Sequence, residues 1–155
     1  MKRTVVVKMR NLSNEMKMMI PSKSANEGYA RIAVASFIAQ LDPTVEEIAD
    51  IKTAVSEAVT NCIVHGYKDT IGKIYINAKI YDDGTAAITI KDTGCGIPDI
   101  KKAMEPLFTT GGSDRAGLGF AVMGSFMDKL RVRSKVGVGT TVTLEKQIEK
   151  RERKG

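Results

Sequence analysis

The sequence predicts an α+β fold: a two-layer sandwich with helices packed on one face of a mixed, mostly antiparallel sheet. Three observations carry that expectation. Two stretches, Ser24 to Leu41 and Thr44 to Ile63, place apolar residues at helical spacing behind capping-box signals. Two β-rich runs follow, Lys73 to Tyr81 and Thr85 to Lys91, divided only by the turn residues Asp82-Asp83-Gly84. Helices therefore alternate with strands that pair as hairpins, not with single strands joined by parallel crossovers.

A chain of 155 residues with 43% hydrophobic content can bury one core without metal or disulfide staples. Its expected division is a main domain over residues 14–146, an extension over 1–13 and a basic tail over 147–155. Cys62 and Cys95 lack the spacing of a zinc site and read as free thiols. No run approaches the roughly 18 to 20 apolar residues that span a bilayer, so the expected location is cytoplasmic, with no membrane contact. The net charge is +6, but Lys146, Lys150, Arg151, Arg153 and Lys154 alternate with glutamates in what reads as a solvated tail. With no Trp and no recognisable nucleic-acid motif, direct nucleic-acid binding is not expected.

In chain order, a strand at Glu15 to Ile20 opens the domain. Ser24 and Glu27 then have capping-box spacing before Tyr29, Ile32, Ala33, Phe37 and Leu41, and Asp42-Pro43 ends the run. Thr44 and Glu47 repeat the signal before Ile48, Ile51, Val55, Val59 and Cys62 or Ile63, with Gly66 as the stop. After the hairpin come a glycine loop at Asp92 to Pro98 and a short helix near Asp99 to Glu105. An irregular stretch to Ala116, a helix from about Leu118 to Leu130 and two closing strands around Val136 to Gly139 complete the chain.

Chemistry-bearing residues fall at the joints of this order. Glu57 and Asn61 share one face of the second helix, beside its apolar stripe. Asp92-Thr93-Gly94-Cys95-Gly96 leaves a strand with a carboxylate able to accept from an amino group and two glycines that permit close backbone approach. Gly117-Leu118-Gly119-Phe120 opens a helix, where unpaired N–H groups favour phosphate, behind a polar stretch containing Thr109 and Thr110. Neither glycine cluster fits a P-loop or a dinucleotide fingerprint.

Read in order, Glu57-x-x-x-Asn61, Asp92-x-Gly94-x-Gly96, Phe108-Thr109-Thr110, Gly117-Leu118-Gly119-Phe120 and Gly139-Thr140-Thr141 resemble the GHKL superfamily of ATPases and kinases, whose fold is the Bergerat sandwich. From about Asn14 to Leu144 the chain is similar to the anti-sigma F factors of spore-forming bacteria, which are serine kinases and sigma-factor inhibitors. The resemblance implies ATP and Mg²⁺ as cofactors, Glu57 as the base toward the attacking hydroxyl, and Asn61 as the Mg²⁺ ligand. It assigns adenine to Asp92 and Thr140, the loop to Gly94 and Gly96, and the nucleotide lid to Thr109, Thr110, Gly117 and Gly119. Arg31 corresponds to an arginine used toward protein partners and lies outside the nucleotide face, while His65 is read as structural. The partners implied are sigma factor F of RNA polymerase, an anti-anti-sigma factor as phosphorylation substrate, and a second copy of the chain in a homodimer. The resemblance also implies that ATP favours the sigma complex and ADP the anti-anti-sigma complex. An anti-sigma B type of switch kinase, with a different sigma partner, is the alternative.

Overall fold

The structure, a computed structural model, describes residues 10–105 and 115–150. Strands β1 (Leu12–Pro21), β2 (Lys73–Tyr81), β3 (Thr85–Asp92), β4 (Lys129–Lys135) and β5 (Gly139–Gln147) form one sheet in the order β1-β2-β3-β5-β4. Helices α1 (Ala25–Ile38), α2 (Val45–Asn61) and α4 (Arg115–Phe126) form the second layer, with α2 between the other two; the short α3 (Ile100–Met104) packs beside α4. The predicted two-layer α+β sandwich is therefore the fold, and every ladder among the described strands is antiparallel.

Alternation along β2 and β3 explains the layering. Ile74, Ile76, Ala78 and Ile80 of β2 and Ile88 and Ile90 of β3 point to the helical face and are buried. They meet Ile51, Val55 and Val59 from the predicted stripe of α2, together with Met123 of α4 and Leu144 of β5. The hairpin closes as predicted through Gly84, whose φ of +85° is a conformation open to glycine.

The N-terminus of α2 forms the predicted capping box. Thr44 Oγ1 accepts from Glu47 N–H at 3.0 Å, and Thr44 N–H donates to Glu47 Oε1 at 2.8 Å. The matching expectation for α1 fails. Ser24 is already helical, with φ −53° and ψ −36°, so its hydroxyl cannot turn back onto the first N–H groups. Glu27 is instead engaged by Ser56 Oγ of α2 and by Arg31.

The buried face of α1 also differs from the expected one. Ala30, Val34 and Ile38 are fully buried, whereas Tyr29 and Ile32 are 62% and 60% exposed. A helix with apolar residues on two adjoining stripes can bury either, and the stripe bearing Ala30 admits the closer approach to α2.

At the C-terminal end, α4 spans Arg115–Phe126 and β4 begins at Lys129, so the helix lies a few residues upstream of its predicted position. The closing strands flank Val136-Gly137-Val138, which forms their turn. Lys146 is not part of a solvated tail. It bonds to Phe126 O at 2.7 Å and Asp50 Oδ2 at 3.4 Å, and beyond it Ile148 is buried. Among the described residues no helix is long and apolar enough to cross a membrane.

The contrast between the two caps yields a direct test. Thr44→Ala should lower unfolding free energy by about 1 kcal/mol, and Ser24→Ala by less than about 0.5 kcal/mol, in urea titrations. Equal losses would contradict the cap assignment.

Candidate nucleotide site

The C-terminal turn of α2, the loop after β3, the start of β5 and α4 surround one pocket. Asn61, Asp92, Gly96 and Thr140 line it, together with Phe120 and Val142 on its apolar wall. Beside it, backbone and side chain approach too closely to admit a Cβ. Past Asn61 the helix widens into a π-turn, Cys62–Gly66, which carries Gly66 against the loop after β3. A Cβ on Gly66 would lie 2.8 Å from Asp92 Oδ2, and one on Gly94 would lie 2.0 Å from Gly66 O. Glycine at both positions is therefore a packing requirement.

Two further glycines close the loop from the other side. Gly96 has φ +77°, and its Cβ would fall 2.3 Å from Lys135 O; Gly139 has φ +139°, with Asp92 O at 2.1 Å from its Cβ position. The expectation that Gly94 and Gly96 bring backbone close to a ligand is thus refined. Gly96 lines the pocket, but both glycines first bring backbone close to backbone.

Asp92 is held at the centre of this arrangement with 3% exposure. Its Oδ1 accepts from Gly94 N–H at 2.9 Å and Thr140 N–H at 3.3 Å, while Oδ2 takes no backbone donor among the described residues. Thr140 Oγ1 pairs with Ser134 Oγ at 2.8 Å, and Ser134 Oγ accepts from Ile97 N–H at 2.7 Å. Burial, and then the hydrogen-bonded carboxylate of Asp92, pushes the Cys62 thiol well above its ordinary range. Tyr67 braces the loop: its hydroxyl accepts from Thr93 N–H at 2.7 Å and donates to Lys73 O.

Glu57 and Asn61 converge on α4. A Cβ on Gly119 would sit 3.1 Å from Glu57 Oε2 and 3.3 Å from Asn61 Nδ2. Gly119 is the fifth residue of α4, past the unpaired N–H groups of its first turn, so its contribution is room beside the two polar side chains. Gly117 falls within that first turn. Asn61 Nδ2 is buried without a hydrogen-bond partner among the described residues. Such an orphan costs about 1–3 kcal/mol unless a bound group pairs it, and the amide can equally present its oxygen there by turning over. The residues present therefore fit a polar ligand with an associated hard cation.

Among the described residues Glu57 does not line the pocket itself; it reaches Gly119 beside Asn61 and borders a second, open groove between α1 and α2, which includes Arg31, Lys52 and Ser56. Arg31 lies outside the nucleotide pocket, as expected, but on a surface shared with Glu57. Its pairing with Glu27 at 3.7 Å is exposed and worth only about 0.3–0.5 kcal/mol, which leaves the guanidinium available. His65 lines the pocket, and its backbone oxygen accepts from the Cys95 thiol at 3.1 Å. Thr109 and Thr110 lie outside the described residues. The sequence assigns no site-building role to Gly66, Gly139, Tyr67 or Ser134; Gly66 carries a signal as a helix stop and Gly139 as part of the Gly139-Thr140-Thr141 motif, while Tyr67 and Ser134 carry none.

A helical layer with a polar α2 face, an acidic glycine loop and a pocket between them form a site of the kind a nucleotide-binding domain needs. The histidine kinase-like ATPase domain family matches this chain over residues 20–146. Among curated relatives, the anti-sigma F factor of Caldanaerobacter subterraneus subsp. tengcongensis is 57% identical over 137 residues, covering 88% of this chain and 95% of that protein. That of Geobacillus kaustophilus is 49% identical over 140 residues, covering 90% and 96%. The chain belongs to the histidine kinase-like ATPase family and, within it, to the anti-sigma F factors. The fold also aligns with about a third of a solved chain comprising the RsbU and RsbW domains of Rv1364c from Mycobacterium tuberculosis, with TM-score 0.66 and 22% identity over 88% of this chain and 32% of that one. The Erythrobacter litoralis EL346 blue-light activated histidine kinase domain aligns with TM-score 0.53 and 21% identity, over 79% and 61%.

The thiol environments lead to a measurable difference. A raised pKa removes thiolate, so in the folded protein near pH 8 iodoacetamide should alkylate the exposed Cys95 and spare the buried Cys62. Because Cys95 lines the pocket, ATP should slow its labelling in peptide mapping by mass spectrometry. Comparable labelling of Cys62 would contradict its placement against Asp92.

Proposed function

We propose that this chain is an ATP-dependent serine protein kinase and an anti-sigma factor acting in the bacterial cytoplasm. In its ATP-bound state, as a homodimer, it holds sigma factor F of RNA polymerase. It also phosphorylates a serine of an anti-anti-sigma factor, whose binding leads to release of the sigma factor. The names of the relatives support the sigma antagonist role, and the site supports the transfer reaction.

The observation that carries the kinase reading is the double position of Glu57. It stands beside Asn61 and Gly119 on the nucleotide side and borders the open groove with Arg31 and Ser56 on the other. A hydroxyl on a protein surface can enter such a groove, whereas a base enclosed in the pocket would meet only water or small molecules.

In this reading Asp92 and Thr140 orient the adenine, and Asn61 presents its amide oxygen to Mg²⁺. Among the described residues no group of three or more His, Cys, Asp or Glu side chains could hold a metal, which suits a cation whose remaining ligands are phosphates and water. Held there through Asn61, the ion would neutralise phosphate charge. Glu57 accepts the proton of the serine hydroxyl while its oxygen forms the bond to the γ-phosphorus. The bond from that phosphorus to the β,γ-bridging oxygen breaks, and ADP leaves. Arg31 contacts the protein partner at the rim of the same groove.

The test is transfer of labelled phosphate from Mg·ATP to the purified anti-anti-sigma partner. Glu57→Gln should lower the rate by about 10²- to 10⁴-fold while leaving ATP affinity within about threefold, because the base is used in the transition state and not for nucleotide binding. Undiminished transfer by the variant, or none by the wild type, would sink the proposal.

A further inference from the structure

The sheet face opposite the helices carries charge that the nucleotide site does not use. Strand β4 is the terminal strand of the sheet, and its residues alternate between exposed and half-buried. Lys129, Arg131, Arg133 and Lys135 occupy the exposed positions, so four cations stand in a column with successive members about 6.6 Å apart. Their neighbours on β5 are Glu145, Thr143, Thr141 and Gly139 in turn. Glu145 is shared by Arg10 at 2.9 Å and Lys129 at 3.9 Å. Arg131, Arg133 and Lys135 have no ion-pair partner among the described residues, and one strand further in Lys91, opposite Thr141, adds another cation.

A charged edge strand discourages edge-to-edge pairing, and one or two lysines suffice for that. Four cations in strand register, three of them uncompensated and two of them arginines, exceed that need. We propose that β4 is a docking strip for an extended acidic segment of another protein, which adds alongside it as a sixth strand.

Two features select this occupant. Between Lys129 and Ser134 the backbone of β4 makes no hydrogen bond to any described segment except β5, so its outer N–H and C=O groups are available to a new strand. A strand added there places every second side chain about 5 Å from a β4 cation, which makes alternating carboxylates the complementary sequence. The chain's own remaining segments do not supply it: residues 1–9 contain Lys2, Arg3 and Lys8 and no acid, 106–114 contain a single aspartate, and 151–155 contain one glutamate, Glu152, among three cations. Single-stranded nucleic acid is disfavoured because the aromatic rings on this face of the described strands, Tyr75 and Tyr81, both stand on β2, three strands away from β4, and Arg10 covers Tyr81, which leaves no stacking platform beside the strip.

Fluorescence anisotropy with the full chain tests the strip. A labelled peptide with glutamate at every second residue and threonine between should bind at least about tenfold tighter than its isomer with the glutamates in one block, and affinity should fall with salt. N-methylation of alternate backbone amides on the edge-facing side should abolish the difference. Arg131→Glu combined with Arg133→Glu should weaken binding at least about tenfold with unchanged affinity for a fluorescent ATP analogue, which also reports that the fold is intact. Equal affinity for both isomers, indifference to N-methylation, or tighter binding of a single-stranded oligonucleotide than of the peptide would each overturn the proposal.

Discussion

The packing of Asp92 against Gly66 is the contact on which the rest of the site depends. It joins the end of α2 to the end of β3 at a separation that allows no side chain on Gly66. From there the arrangement propagates: Gly94 fits against Gly66 O, Gly139 against Asp92 O, and Thr140 N–H against the carboxylate itself. The helical layer and the sheet are thereby tied together at one corner, and the pocket is the space left beside that junction. A nearly buried carboxylate is costly unless donors converge on it. Here two backbone N–H groups and the Cys62 thiol do so, which fixes its orientation before any ligand arrives.

The same junction explains how one helix serves two surfaces. The buried stripe of α2 anchors it between α1 and α4, so the adjoining polar face has a fixed direction. Asn61 then faces the pocket, and Glu57, one turn earlier, stands where the pocket side meets the groove beside Arg31. Separation of nucleotide and partner surfaces by one helical turn gives a short physical route by which occupancy of one could alter the other. Gly119 is part of that route, because a larger residue would press on both polar side chains.

Much of the architecture was legible because local and tertiary preferences agree. The α2 stripe, the Thr44 capping box and the Asp82-Asp83-Gly84 hairpin each follow from residue types at short spacing, and each forms as read. The α1 face was not legible in the same way, since Tyr29 and Ile32 compete with Ala30 and Val34 as apolar stripes and only the packing against α2 decides between them. Within the site, the polar residues stood out by spacing, whereas the packing roles of Gly66 and Gly139 and the brace from Tyr67 arise from segments far apart in sequence. Position along a chain does not reveal such contacts.

The most direct measurement is the affinity of Gly66→Ala for a fluorescent ATP analogue with Mg²⁺, beside Gly28→Ala as a control whose added Cβ meets only the end of Arg31 at 3.7 Å. The added methyl at position 66 must displace the Asp92 carboxylate, so affinity should fall at least about tenfold while circular dichroism remains native, with Gly28→Ala binding as the wild type does. Wild-type affinity in Gly66→Ala would contradict the dependence of the nucleotide pocket on this contact.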